Sequence, residues 1–443
     1  MTVNLTSSAQ ESSIPTLVVI TATFPFGIGE QFLETELPYL LHRFQNVLIV
    51  PRSAVGVARP VPPNARVDTS LAAALSETGL NRLLQLTAAI VSNIGLFLSE
   101  IYSNYRILAT AVSLKRLLGA LRSTYVTKQW AQDFLGGERS DPERTIFYFY
   151  WLESQALGAA QAKARHPGVK VVARAHGYDL YAERMPHGYR PLAKPLIAGV
   201  DEIYVVSKHG SEYLRNRYPW ASTKISTSRL GVAEPRSATP FYAPQGGTDK
   251  SLTLVVASVS FLTPVKRVHL IIEALSIAGT QRPDIDITWH HLGDGPERAA
   301  LAQLAAQVLP GNVRHFMHGQ VANSDVHKFY ATEQVDLLVN VSASEGVPVS
   351  IMEAQSYGIP VVATRVGGTP EIVDVDNGLL LSANPSPQEI AAALLQPVES
   401  PTAWSRKRIS SLNTWHTKCN AGRNYTAFAA QLAMLSARSV TTR

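Results

Sequence analysis

Two carboxylates eight positions apart, Glu345 and Glu353, lie in the run Ser344-Glu345-Gly346-Val347-Pro348-Val349-Ser350-Ile351-Met352-Glu353, directly after an apolar strand-like segment. Pro348 suits the first turn of a helix, which puts Glu345 in the preceding loop and Glu353 inside the helix. The backbone N–H groups of Val349, Ser350 and Ile351 then point out of the helix N-terminus, where the dipole favours an anion or a hydroxyl-rich ligand. One carboxylate can accept hydrogen bonds from sugar hydroxyls and the other from ribose hydroxyls. A cationic pair, Lys266-Arg267, closes the run Ser258-Val259-Ser260-Phe261-Leu262-Thr263-Pro264-Val265 at a second helix start. The dipole disfavours a cation there unless an anion sits nearby, and a diphosphate is such an anion; a solvent-exposed basic pair is the plain alternative.

Toward the N-terminus, Arg174-Ala175-His176-Gly177-Tyr178-Asp179-Leu180-Tyr181 begins at the end of a strand-like segment. Gly177 permits a sharp turn just after His176, which puts the imidazole at the carboxyl end of a sheet, where open α/β folds bind ligands. Tyr178, Asp179 and Arg184 are the candidates there for holding an acceptor. In Phe24-Pro25-Phe26-Gly27-Ile28-Gly29-Glu30-Gln31-Phe32 the two glycines allow close backbone approach, but Phe32 stands where a dinucleotide fingerprint needs its third glycine. NAD binding is disfavoured, and Gly27, Gly29 and Glu30 are left as acceptor-side candidates.

The elements that must position these groups alternate along the chain. Residues 16–21, 46–50, 145–150, 170–174 and 202–207 are short apolar, β-branched runs with helical patterns between them, and a second such series follows at 252–257, 285–292, 335–341 and 359–364. This alternation predicts parallel sheets. Between Pro235 and Lys250 the composition turns to Pro, Gly, Ser and Thr, as in an exposed connection. The expected domains are therefore 1–235, with a helical insert at about 80–140, and 250–415, followed by a terminal helix over 416–443 that packs back toward the first domain. Trp404, Trp415, Tyr425, Phe428 and Leu432 give that tail an apolar face to dock.

With 443 residues, 46% of them hydrophobic and 17% charged, the chain can bury two cores. Its single cysteine, Cys419, excludes a disulfide framework and a zinc-type Cys/His cluster. That fits a reducing, cytoplasmic compartment, as does an N-terminus without a signal-like apolar segment. The net charge of +6 is concentrated: six basic residues (Arg82, Arg106, Lys115, Arg116, Arg122, Lys128) face one acidic residue, Glu100, between positions 81 and 128, a local balance of +5. The same region holds 17 uncharged residues, Leu83 to Ser99, interrupted by polar side chains and short of a spanning helix. Two readings stay open: a peripheral helix on an anionic membrane surface, and a buried helix with a solvated basic neighbour. Aromatic residues do not interleave with these charges, which argues against nucleic acid as a partner.

Taken together, Glu345 through Glu353 with Ala354, then Gly358-Ile359-Pro360-Val361-Val362-Ala363, Gly367-Gly368 and Pro370-Glu371-Ile372-Val373 resemble the retaining glycosyltransferases of family 4. Gly293-Asp294-Gly295-Pro296-Glu297 resembles that family's turn after a central strand, and His318-Gly319-Gln320-Val321 its loop beside the nucleotide base. The resemblance implies a GT-B fold, two Rossmann-like domains with parallel sheets facing across a central cleft. It implies a UDP- or GDP-sugar donor held by Lys266, Arg267, Gly293, Gln320, Val321, Gly346, Val349, Ser350 and Glu353, with His176 and Glu345 at the reacting sugar. Phe261 stands where the family usually has an arginine, and Arg267 is the candidate to replace it. The FPxGxGExF run, Phe149-Tyr150-Trp151 and RAHGYDLY resemble a bacterial subgroup that builds capsular, O-antigen or exopolysaccharide chains, with saccharide or lipid-linked saccharide acceptors.

The implied reaction retains anomeric configuration and uses no cofactor or metal; Asp374-Val375-Asp376 falls after the glycine-rich turn and reads as a loop. Two rivals remain: a catalytically silent nucleotide-sugar-binding subunit, which the absent arginine favours, and a sugar-nucleotide epimerase of the same architecture, for which no separate acid/base set is visible.

Overall fold

The structure is a computed structural model that describes residues 16–27, 30–137, 141–235 and 252–438. Gly29, the polar N-terminal lead and nearly all of the expected connection at 235–250 lie outside the described residues. Strands β1 (Thr16–Thr21), β2 (Asn46–Pro51), β3 (Ala65–Val67), β4 (Thr145–Phe149), β5 (Lys170–Ala175), β6 (Glu202–Val205) and β7 (Ile225–Thr227) form one sheet in the order β3-β2-β1-β4-β5-β6-β7. A second sheet contains β8 (Leu252–Val259), β9 (Ile285–Leu292), β10 (Val313–Met317), β11 (Leu337–Asn340), β12 (Val361–Thr364) and β13 (Gly378–Leu381), ordered β10-β9-β8-β11-β12-β13. Its strand pairs are all parallel. The expected parallel α/β sheets are therefore present in both halves. β4, β11 and β12 are buried along their whole length. Helices cover both faces of a parallel sheet, so such strands read as unbroken apolar runs rather than alternating ones.

Packing divides the chain into two compact units. One contains the described residues up to Ala173 with Pro186–Glu202 and the chain from Phe428; the other contains Arg174–Met185 and the described residues of Ile203–Ala427. In the first unit, helices Ser70–Ser76, Gly79–Ser92, Ile94–Leu108 and Ala111–Gly136 follow β3. Arg122, one of the six basic residues of this region, is buried, and its guanidinium donates to Gln85 Oε1 at 2.9 Å and to the carbonyls of Leu75 and Glu77. It ties the helices together and is no part of a charged surface. Phe428 meets Tyr148 edge-on, with ring centroids 5.2 Å apart. In the second unit Trp415 is buried and its indole N–H donates to Val232 O at 3.2 Å.

Candidate functional site

Two loops at the carboxyl ends of adjacent strands build the centre of the site. The loop after β8 runs through a single 3-10 turn, Pro264–Lys266, into helix Val268–Gln281. The loop after β11 leads to Pro348, which caps helix Val349–Ser356 one position earlier than the sequence suggests. Ala343 N–H donates to Val265 O at 2.7 Å and joins the two loops. Across them Lys266 Nζ donates to Glu345 Oε1 at 2.6 Å, and Asn340 Nδ2 approaches the same oxygen at 3.4 Å. Glu345 is 8% exposed, and its Oε2 accepts no hydrogen bond among the described residues.

Arg184, expected on the acceptor side, joins this centre. Its Nε donates to Ser344 Oγ at 2.8 Å, its Nη2 donates to the same oxygen, and its guanidinium lies over the Tyr181 ring, 5.2 Å from the centroid. Burial pulls the guanidinium pKa down, while the charge of Glu345 acts in the opposite direction. A Cβ at Gly177 would lie 2.5 Å from Arg184 Nη1 and 3.0 Å from Gly346 N, so glycine leaves the room in which Arg184 and the Gly346 backbone both sit against this turn. Nη1 and the N–H groups of Gly346, Val349 and Ser350 donate no hydrogen bond among the described residues. The Ile351 N–H, expected free, instead donates to Pro348 O at 3.2 Å.

A second cluster surrounds Glu353. Burial pushes its carboxyl up to about 7, and Asn323 Nδ2 donates to Oε1 at 2.6 Å while Oε2 has no donor among the described residues. Asn323 opens the helix Asn323–Thr332 that follows Gln320, which is exposed, and Val321, which is half-buried. Gly293 N–H donates to Gly319 O at 2.9 Å and brings the turn after β9 beside this loop. Asn323 escaped the sequence reading, and its place one helix start after Gln320-Val321 is the signal that could have found it.

Four expectations change. Arg267 does not stand in for the arginine missing at Phe261: it donates to the carbonyls of Val341 (2.7 Å), Ser342 (3.0 Å) and Ala383 (2.9 Å) and to Asn384 Oδ1, and so holds the base of the loop. Asp179 is 1% exposed and accepts the His176 N–H at 2.6 Å, so it shapes the His176 turn rather than an acceptor site. Glu30 receives four N–H groups, from Ala22, Thr23, Phe24 and the Trp151 indole, at 2.6–2.8 Å, which fills both of its oxygens and makes it the clamp of the first loop. Arg184 belongs with Glu345. Gly27, at φ +65°, keeps its turn role, Tyr178 is exposed, and His176 is buried with Nδ1 3.9 Å from Asp179 Oδ2. Among the described residues no group of His, Cys, Asp and Glu side chains could hold a metal ion.

The Glu345 loop is backed by Gly367-Gly368. Gly367 has φ +52°, and a Cβ there would lie 2.0 Å from Glu345 O. Gly367→Ala is therefore expected to destabilise the fold by at least about 2 kcal/mol through the left-handed backbone and the clash, and to displace Glu345 from Lys266; thermal melts check the first effect and nucleotide binding the second.

Residues 253–400, which carry both glutamates, Lys266 and Gly293, match the family model of the glycosyl transferases group 1. The matched stretch runs from β8 to the end of helix Pro387–Glu399. Arg184, His176 and the loop at Gly27 and Glu30 fall outside that matched domain. A protein of Escherichia coli strain K12 named as a colanic acid biosynthesis glycosyltransferase, WcaL, is 32% identical over 236 residues, 51% of this chain and 56% of that protein. The chain spans about half the length of the curated relatives it matches. Among solved structures, Anabaena Alr3699/HepE in complex with UDP and glucose superposes with a TM-score of 0.63 at 15% identity, covering 95% of this chain and 100% of that one. The lipopolysaccharide outer core galactosyltransferase WaaB superposes with 0.62 at 15% identity, covering 95% and 99%. These likenesses show the fold, which is GT-B.

Proposed function

We propose that this chain transfers a hexose from a UDP- or GDP-sugar to a saccharide or lipid-linked saccharide acceptor, with retention, during assembly of a bacterial surface polysaccharide at the cytoplasmic face of an anionic membrane. The observation that carries the reading is the Lys266–Glu345 pair at 2.6 Å with the Arg184 guanidinium beside it. Two cations meet the Ser344–Glu345 loop, and the N–H groups of Gly346, Val349 and Ser350 that follow it donate no hydrogen bond among the described residues, a set of donors that suits a diphosphate. The Oε2 atoms of Glu345 and Glu353, which take no donor among the described residues, are acceptors for hydroxyls of the hexose and the ribose.

In the reaction, the acceptor oxygen forms a bond to the anomeric carbon on the face from which the carbon–phosphate oxygen bond breaks. The acceptor proton passes to the departing phosphate oxygen. Lys266 and Arg184 meet the charge that develops on the diphosphate, so the residues themselves supply the leaving-group stabilisation and the step calls for no metal. Glu345 is held by Lys266 and orients the hexose.

Calorimetry with UDP, GDP, ADP and their sugars tests the reading, with hydrolysis of the bound sugar followed in parallel. One nucleotide is expected to bind tightly and its sugar to be released slowly in the absence of acceptor. Binding without turnover, even with saccharide acceptors supplied, would favour the silent subunit, a reading that the exposed Phe261 at the cation position supports. No binding of any nucleotide would overturn both.

A further inference from the structure

Helices Gly79–Ser92 and Ile94–Leu108 turn their apolar sides outward. On the first, Leu80, Leu84 and Val91 are 69%, 58% and 72% exposed, and on the second Ile94, Leu98 and Tyr102 are 50%, 56% and 85% exposed. Within each helix these positions are four or seven apart, so each set forms one stripe. The buried positions are few: Ala89 on the first helix and Leu108 on the second. A water-facing helix normally has the reverse pattern, and a contiguous apolar patch of this kind marks a contact surface.

No single helix among the described residues is long and apolar enough to cross a membrane, and this pair is bent by 81° at Asn93. At 14 and 15 residues each helix is about 21–23 Å long, short of the ~30 Å hydrocarbon core. The bend is built in: Asn93 is buried, donates from Nδ2 to Ala89 O at 3.0 Å and accepts from Gln161 Nε2 at 2.8 Å. Charge selects the partner. Arg106 is exposed on the second helix one turn past its stripe and Lys115 is exposed near the start of the next helix, whereas the one acidic residue of the region, Glu100, is turned inward and accepts from Tyr189 Oη at 2.7 Å. A second copy of this chain would bring the same basic rim against itself, while an anionic lipid surface complements it.

We propose that the two stripes insert into the outer layer of an anionic bilayer, with Leu84, Leu98 and Tyr102 among the acyl chains and Arg106 and Lys115 at the headgroups. This surface lies on the helices after β3; it deepens the membrane location proposed above and uses no part of the transfer chemistry. It replaces a purely charge-driven contact with insertion of apolar side chains, as expected of interfacial helices.

The test is co-sedimentation with phosphatidylglycerol-containing vesicles. The wild type is expected to bind and to retain part of its binding at high salt. The exposed-site variant Leu84→Ser/Leu98→Ser/Tyr102→Ser is expected to lose about tenfold or more in partition at every salt concentration, without a change in thermal melt. Arg106→Ser/Lys115→Ser is expected to lose binding mainly at low salt, where charges are least screened. An indole introduced by Tyr102→Trp is expected to be quenched by acyl-brominated lipid. Unchanged binding of the triple apolar variant, or an unquenched indole, would overturn insertion. So would absence of vesicle binding together with a dimer that the apolar variant dissociates, which would assign the face to a second copy. Nucleotide calorimetry on the same samples keeps the two proposals separable.

Discussion

Lys266→Ala is expected to lower turnover of the donor sugar by about 100-fold or more, with Arg184→Gln acting in the same direction. Lys266 Nζ is 2.6 Å from Glu345 Oε1, and the alanine variant removes both a charge aimed at the diphosphate and the partner that holds Glu345. The Lys266 side chain is only 24% exposed and its loss leaves the buried Glu345 carboxylate without its cation, so a thermal melt of the variant accompanies the kinetics and separates lost stability from lost catalysis. Binding of the nucleoside diphosphate should weaken while binding of the bare nucleoside does not, because the nucleoside has no phosphate for the cation to meet. A parallel loss for nucleoside and diphosphate would mean that Lys266 merely supports the loop. Lys266→Arg separates the cases further: partial recovery of turnover is expected if charge is the requirement, since a guanidinium keeps the charge but changes the reach.

Glu353→Gln is expected to stabilise the protein above neutral pH while weakening its hold on a nucleotide sugar. Burial raises the Glu353 carboxyl to about 7 from an ordinary value near 4.5. The folded protein therefore holds a proton there that the unfolded chain releases, and stability falls as pH rises through the interval between those two values. The contribution is fully present below about 4.5 and lost above about 7. Glutamine is neutral throughout, and its amide oxygen can still accept from Asn323, so the variant should be more stable than the wild type by up to about 3 kcal/mol at pH 8 and nearly equal to it at pH 4. Denaturant unfolding at the two pH values measures this, and a constant difference between them would show that ionisation of Glu353 does not matter to the fold. Calorimetry with the preferred nucleotide sugar should show weaker binding at pH 8, where the wild-type carboxylate accepts two hydroxyl donors better than an amide can. A variant that gains stability and loses affinity would mark Glu353 as a group kept at a cost to the fold for the sake of its ligand.

Much of this was legible along the chain. The alternation of apolar runs with helical patterns required parallel sheets, because a β-strand followed by a covering helix returns in the same direction. The loop positions of Glu345 and Lys266 followed from the strand ends before them, with Pro348 marking the turn into the helix that carries Glu353. What local pattern could not reveal was the partner of each charged group. Glu30 looked like a free carboxylate beside two glycines, yet four N–H groups close on it, one from Trp151, 121 positions away. Arg267 looked equivalent to Lys266, its chain neighbour, but a left-handed residue at φ +51° turns it toward backbone carbonyls. Arg184 meets Ser344 across 160 positions.

By itself, then, the sequence determined the element types, the sheet class and the placing of Glu345, Glu353 and Lys266 after strand ends and at helix starts, since these depend on periodicity and on short-range spacing. Tertiary structure alone decided which cations remain available to an anion and which are spent on carbonyls, which carboxylate is desolvated, and which apolar helix faces stay uncovered. Those outcomes depend on burial and on contacts between distant segments, and neither quantity is a property of any short stretch of chain.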